Sequence, residues 1–237
     1  MGQYPFRRLQ SDLANLISSL PAESRLPSEP DLARRMGVSR ATLREAMRSF
    51  EGQGLIRRRQ GVGTFVVAQV PVIDSGLEIL ESIETIAQRK SMPVSMGELQ
   101  VREVPADAEQ AEALSIAPGT LVTDVGRVIY TESRPIAFLE DVLPADILSV
   151  AEVQSGFTGS VLDLLLRRGD PKLTQSRTDI RAIGATQKVA RALQIQRDAV
   201  ILLFVAKLYS EDGRVVDYSF SDFLPGYFHF HVVRKVG

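Results

Sequence analysis

The sequence predicts an α+β protein in two parts: an N-terminal winged helix-turn-helix, then a mainly antiparallel sheet with helices. Three observations predict this. Residues 25–66 read as helix, tight turn, second helix and short hairpin. Beyond residue 77, short helices alternate with β-branched strands joined by hairpin turns. A shift of 79 positions also lays one strand–helix–strand stretch on another without a gap.

Helix 1 is expected from about Tyr4 to Ser19, because Leu9, Leu13, Leu16, Ile17 and Leu20 fall on one face and Pro21 stops it. Ser28 can cap helix 2, with Asp31 completing an S-x-x-D start signal. Leu32 and Met36 face inward, and Gly37 makes the turn, where a positive φ is cheap for glycine. Ser39 caps helix 3, which runs to about Glu51 and anchors itself through Leu43, Met47 and Phe50. Leu55–Arg59 and Thr64–Val67 form the wing strands, joined by Gln60-Gly61-Val62-Gly63.

Such a module offers the N-terminal residues of helix 3 to base edges in the DNA major groove. Arg40 and Arg44 lie four apart on one face, and arginine suits bidentate bonding to guanine. Ser39 and Thr42 are short and sit where a helix N-terminus meets phosphate. Arg58 and Arg59 stand at the base of the wing, and Gly61 keeps its tip slim. Eleven arginines against six acids leave residues 1–70 at +5, whereas 17 basic and 23 acidic residues leave the rest at −6. A basic module on an acidic body fits a polyanion at one end only. The competing reading makes these arginines a solvated face; the cap, turn, spacing and wing together favour DNA.

The stretch L-P-S-E-P-D-L-A-R-R-M-G-V-S-R-A-T-L-R-E-A-M with its G-x-G-T-F-V wing resembles the GntR family of bacterial transcription factors over about residues 4–67. The resemblance implies DNA contacts at Ser39, Arg40, Thr42, Arg44 and Gly61. Pro30 departs from the family, which often has a charged residue there, in some members a DNA-contacting arginine.

Residues 69–76 hold proline and glycine with little periodicity, and are expected to be a linker between a 1–68 DNA-binding domain and a 77–237 domain. The second domain is expected to run helix 77–90, strand 95–104, helix 107–114, strands 121–131 and 136–143, helix 160–168, strand 173–183, helix 186–193 and strands 200–210, 214–223 and 228–236. The 79-residue shift places Val101–Val104 on Ile180–Ile183, Ala111, Ala113, Leu114 and Ile116 on Ala190, Ala192, Leu193 and Ile195, and Tyr130 on Tyr209. This predicts a duplicated unit packed about a pseudo-twofold axis, with a crevice suited to a small ligand. The same shift sets Glu140 against Ser219, next to Tyr218.

G-R-V-I-Y-T-E-S-R-P-I-A-F-L-E-D-V-L-P at 126–144, G-S-V-L-D-L-L at 159–165 and V-V-D-Y-S-F-S-D-F at 215–223 resemble the effector-binding UTRA domain of the family's HutC branch. That domain is chorismate-lyase-like. The resemblance implies effector contacts at Ser82, Arg127, Glu140, Ser160 and Tyr218. Members sensing sugar phosphates tend to have a second arginine where Ile129 stands, serine or threonine where Glu84 stands, and arginine where Leu224 stands. The lost positive charge and added carboxylate point to an unphosphorylated effector, with an amine as one option.

Several classes are excluded or disfavoured. Zero cysteines remove disulfides, zinc ribbons and thiol nucleophiles. No run of 18 apolar residues suggests a membrane span, and the first residues lack an apolar signal core, so a cytoplasmic protein is expected. His229 and His231 alternate on a strand and share a face, but two ligands make a weak metal site, so no metal and no cofactor are expected. An enzyme is disfavoured because the sequence offers no nucleophile–base pair and no phosphate loop; an effector-independent DNA binder is disfavoured by Arg40 and Arg44. The resulting expectation is a sequence-specific regulator, in the repressing mode commoner in the family, that binds an inverted-repeat operator as a homodimer and answers to a small effector.

Overall fold

Leu9, Leu13 and Ile17 of helix α1 (Gln3–Ser19) are buried with Leu32 of α2 (Glu29–Met36) and Leu43, Met47 and Phe50 of α3 (Arg40–Gly52). These are the apolar positions that helical spacing assigned to one core. The computed structural model describes residues 3–52, 55–59, 61–67 and 72–235. Ser28 caps α2 by accepting from the Asp31 N–H, and Gly37 ends it at φ +66°. Strands β1 (Ile56–Arg59) and β2 (Gly63–Val66) form the wing in the antiparallel register Ile56↔Val66. Residues 24–26 add a third edge, with the Leu26 N–H on Thr64 O and the Val66 N–H on Ser24 O.

The chain divides into two compact units, residues 1–72 with 184–201 and 225–227, and residues 73–183 with 202–224 and 228–237. Among the described residues no helix is long and apolar enough to cross a membrane.

The chain beyond residue 72 follows the predicted order with four differences. Residues 73–76, expected within the linker, form strand β3 (Ile73–Gly76), parallel to β10 (Phe228–His231); residues 69–71 lie outside the described residues. Ile73 and Ser75 are buried, and the partner strand that orders them lies 155 positions away, beyond any local signal. The helix expected over 77–90 is α4 (Ile83–Arg89): Ser82 caps it by accepting from the Thr85 N–H, so residues 77–82 stay irregular. Helix α6 (Val150–Gly156), capped by a Ser149–Glu152 capping box, was not anticipated. Strand β10 stops at His231 rather than 236.

The remaining elements are β4 (Ser95–Pro105), α5 (Ala108–Leu114), β5 (Leu121–Thr131), β6 (Arg134–Pro144), α7 (Val161–Arg168), β7 (Leu173–Gly184), α8 (Gln187–Ala192), β8 (Val200–Ser210) and β9 (Val215–Phe223). Their six strands form one sheet in the order β4-β5-β6-β9-β8-β7. This order is a palindrome of the duplication, with β4, β5 and β6 mirrored by β7, β8 and β9. The repeat extends to backbone detail. Asp107 and Thr186 cap α5 and α8, and Ser115 and Gln194 both take positive φ just beyond them. Register shifts fall between Ile129 and Tyr130 and, 79 residues later, between Leu208 and Tyr209. The second hairpin holds one extra residue, so beyond it the match moves to 80 positions. Glu140 then corresponds to Phe220, with which it pairs across β6–β9, and not to Ser219 as the constant shift had it.

Candidate DNA-reading surface and effector cavity

Helix α3 carries Ser39 at its start, where the Ser39 Oγ accepts from the Thr42 N–H and lies 2.8 Å from Thr42 Oγ1. Arg40 and Arg44 are exposed, as expected for base-reading residues. Arg44 Nε donates to Glu29 Oε2 at 2.8 Å, which holds its stem against α2 while the side chain stays 53% exposed. Glu29 Oε1 faces Arg58, at 3.6 Å from Nη1. Glu29 therefore joins the recognition helix to the wing, a role that its place at the start of α2 did not reveal.

Arg58 needs correction. Its side chain is 15% exposed and lies between Glu29 and Glu51, turned away from the solvent a DNA phosphate would occupy. The alternation of β1 puts one side of the strand on the core, so neighbouring arginines point to opposite sides. Arg59 does face outward, half-exposed over the Phe65 ring with its guanidinium carbon 5.2 Å from the centroid. Gly61 sits at the wing tip at φ +73°, where a side chain would be strained.

In the second unit a cavity of about 560 Å³ opens on the sheet face formed by Arg127, Leu139, Asp141, Asp217, Ser219 and Phe204. Ser82, Glu84 and Ser160 close it from the helix ends. Arg127 is 5% exposed; it donates to Asp141 Oδ2, lies 3.8 Å from Glu84 Oε1 and packs over the Phe157 ring. Burial opposes its charge, but Asp141 and Glu84 outweigh that and push it above the ordinary arginine value. Burial likewise raises Glu84, despite Arg127, and its two oxygens have no hydrogen-bond partner. Asp217 is raised well above the usual carboxyl range by burial and by the neighbouring Asp141. Gly159 lies against Glu84 at φ +118°, a conformation strained for any residue with a side chain.

Ser82 and Ser160, named from the resemblance as effector contacts, both line the cavity and both cap helices. The Ser82 Oγ donates to Asp163 Oδ2 at 2.6 Å, and the Ser160 Oγ accepts from the Asp163 N–H. Asp163 thus ties the starts of α4 and α7 together.

Glu140 and Tyr218 are corrections, and one cause accounts for both. A hairpin continued straight from Thr131↔Arg134 would put Glu140 on the face of Arg127. The shift after Ile129 inserts Ile136 as an extra residue on β6, and a one-residue slip exchanges the faces. Arg127 then pairs with Leu139, and Asp141 comes to its side. The second hairpin repeats this with Val216, so that Ser219 stands opposite Ala206 and Tyr218 leaves the cavity. Tyr218 packs with α5 instead and donates to Glu109 Oε1 at 2.9 Å; burial, then this bond, push its hydroxyl up to about 12.

Known proteins match both parts. Residues 7–66 match the family described as bacterial regulatory proteins, gntR family, and residues 92–228 match the UTRA domain. The histidine utilization repressor of Pseudomonas aeruginosa is 31% identical over 225 residues, covering 91% of this chain and 86% of the relative. The mannosyl-D-glycerate transport/metabolism system repressor MngR of Escherichia coli is 26% identical, covering 99% of this chain and 98% of the relative. The crystal structure of PhnF from Mycobacterium smegmatis has the same fold at a TM-score of 0.64 and 20% identity, covering 97% of this chain and all of that one. The chain belongs to the GntR family of transcriptional regulators, with a UTRA domain that binds a small-molecule effector following its DNA-binding module.

Proposed function

We propose that the chain works in the cytoplasm as a homodimeric repressor, with a DNA-binding domain over 1–68 and an effector domain over 77–237. Two copies read an inverted repeat, because one winged module covers few base pairs. Ser39, Arg40, Thr42, Arg44, Arg59 and Gly61 contact DNA. Effector binding weakens the complex through a coupling of about 1–3 kcal/mol, so operator DNA weakens effector binding equally.

The effector is unphosphorylated and carries a cationic group, such as an amine. One observation carries this reading. Among the described residues lining the cavity, Arg127 is the single cation, against Glu78, Glu81, Glu84, Asp141 and Asp217. Arg127 is already engaged by Asp141. A phosphate would find hydroxyl and amide donors but no free cation to balance its charge, whereas a cation would find carboxylates. Glu84 and Asp217, both raised, must lose their protons to serve it, so effector affinity should rise with pH.

The test selects bound duplexes from a random pool, then titrates the selected DNA complex with a panel of amines, amino acids, sugars and sugar phosphates. The expected outcome is a twofold-symmetric site holding two chains, released by an unphosphorylated amine-bearing compound. An asymmetric or absent consensus would overturn the DNA reading, and release by a phosphorylated compound would overturn the effector reading.

A further inference from the structure

The two alternating histidines gain a third partner in the folded chain. Strand β10 pairs in parallel with β3, which sets His229 beside Asp74 and His231 beside Gly76. Asp74 Oδ1 lies 2.7 Å from His229 Nδ1 and 3.2 Å from His231 Nδ1. One ligand atom from each of the three residues falls within 4.8 Å of the others. A fourth group stands nearby: the Glu78 carboxylate lies against Gly76, with one oxygen accepting from the Val233 N–H.

We propose that Asp74, His229 and His231 form a binding site for a divalent transition-metal ion, with the Glu78 carboxylate or water completing its shell. Two imidazoles and a carboxylate suit zinc, nickel or copper, and do not suit magnesium or calcium, which take all-oxygen shells. The ion replaces the hydrogen shared between Asp74 Oδ1 and His229 Nδ1, and these two atoms move apart to the roughly 3.3 Å that tetrahedral bonds of about 2.0–2.1 Å require. Lys90 Nζ stands 3.7 Å from Asp74 Oδ2 and is the internal cation that the ion displaces.

The position gives the ion something to act on. Asp74, His229 and His231 lie on the outer side of the β3–β10 pair, while Ser75, Phe230 and Glu78 line the effector cavity. Phe230 packs on Phe204 and Phe223 of the main sheet. Strand β3 is also the first element of the chain after residue 72. An ion held across the pair therefore clamps the cavity wall that begins where the sequence leaves the DNA-binding module.

The experiment titrates the metal-free full chain with Zn²⁺ and Ni²⁺ by calorimetry, follows thermal unfolding with and without each ion, and uses Mg²⁺ as control. One ion per chain is expected, with a higher melting temperature, slower amide exchange over 73–76 and 228–231, and no response to Mg²⁺. The double variant His229→Ala/His231→Ala should nearly keep the metal-free melting temperature, because the His229 ring is largely exposed and that of His231 is 40% exposed, and should lose the metal response. Asp74→Asn should weaken binding by at least the roughly 10–100-fold that loss of an outer-shell partner costs. Should the alanine pair disturb folding, His229→Gln and His231→Gln singly serve instead. Absence of saturable binding in the wild type, or unchanged binding in the histidine variants, overturns the proposal.

Discussion

The half of the sheet built from β4, α5, β5 and β6 and the half built from β7, α8, β8 and β9 agree in strand order, cap positions, positive-φ residues and the site of the register shift. They differ in what they present to the cavity. Arg127 of the first half corresponds to Ala206 of the second, and Asp141, at the longer shift, to Ser221. What the two halves share is what the backbone needs: a cap, a left-handed position just past the helix (Ser115 and Gln194) and an extra residue that turns the strand. The cavity face is under no such demand, and there one half holds a buried guanidinium while the other holds a methyl group. The halves still meet chemically, because Asp217 of the second half lies beside Asp141 of the first.

Four predictions probe this comparison. The largest effect should come from Arg127→Ala, which strands the Asp141 and Glu84 carboxyls and should cost about 3–5 kcal/mol in denaturant unfolding at neutral pH. Ala206→Ser at the matching position should stay within about 0.5 kcal/mol. Equal losses would mean that the asymmetry is not energetic. Next, Leu114→Ala and Leu193→Ala remove matching side chains, each 1% exposed. Both should cost about 2–5 kcal/mol, and similar values would confirm equivalent cores. Third, Asp107→Ala and Thr186→Ala remove matching caps, and each should cost about 1 kcal/mol, with Asp107 the larger because its capping box is complete.

The smallest effect at any one pH is that of Asp217→Asn, but its pH dependence is diagnostic. A raised carboxyl pKa means that the folded chain holds the proton more tightly than the unfolded one. The stabilisation is complete below the unfolded value of about 3.9 and is lost as pH rises through the folded value. Asparagine removes the titration, so the variant's melting temperature should decline less with pH and exceed the wild type's at pH 8. A parallel profile for the two proteins would show that Asp217 is not held protonated.

Most elements were legible in the sequence, since helical periodicity, serine caps and glycine turns are local signals. The DNA-binding module was read nearly to the residue for this reason, and strand β5 matched both of its ends. Two of the misses have their origin in pairing over distance, whereas α6 was missed despite its local Ser149–Glu152 capping box. Strand β3 needs a partner 155 residues away, and so does the Asp74–histidine cluster. Of the residues expected at the effector, Arg127, Ser82 and Ser160 line the cavity, but Glu140 and Tyr218 fall on the other face because one inserted residue per hairpin reverses the alternation. Asp141 and Asp217 could have been found by counting register outward from each hairpin, had the extra residue been visible. Arg58 was misjudged because a basic run says nothing of which member turns inward.

The central claim is that this asymmetric, carboxylate-rich cavity receives an unphosphorylated cationic effector. The most direct measurement is thermal unfolding of the wild type and of Glu84→Gln against a panel of amines, amino acids, sugars and sugar phosphates. A ligand at 100 times its dissociation constant stabilises by about 2.7 kcal/mol, a readable shift. The account predicts that an amine-bearing compound raises the wild-type melting temperature and that Glu84→Gln diminishes the shift. A sugar phosphate that stabilises both proteins alike would contradict it.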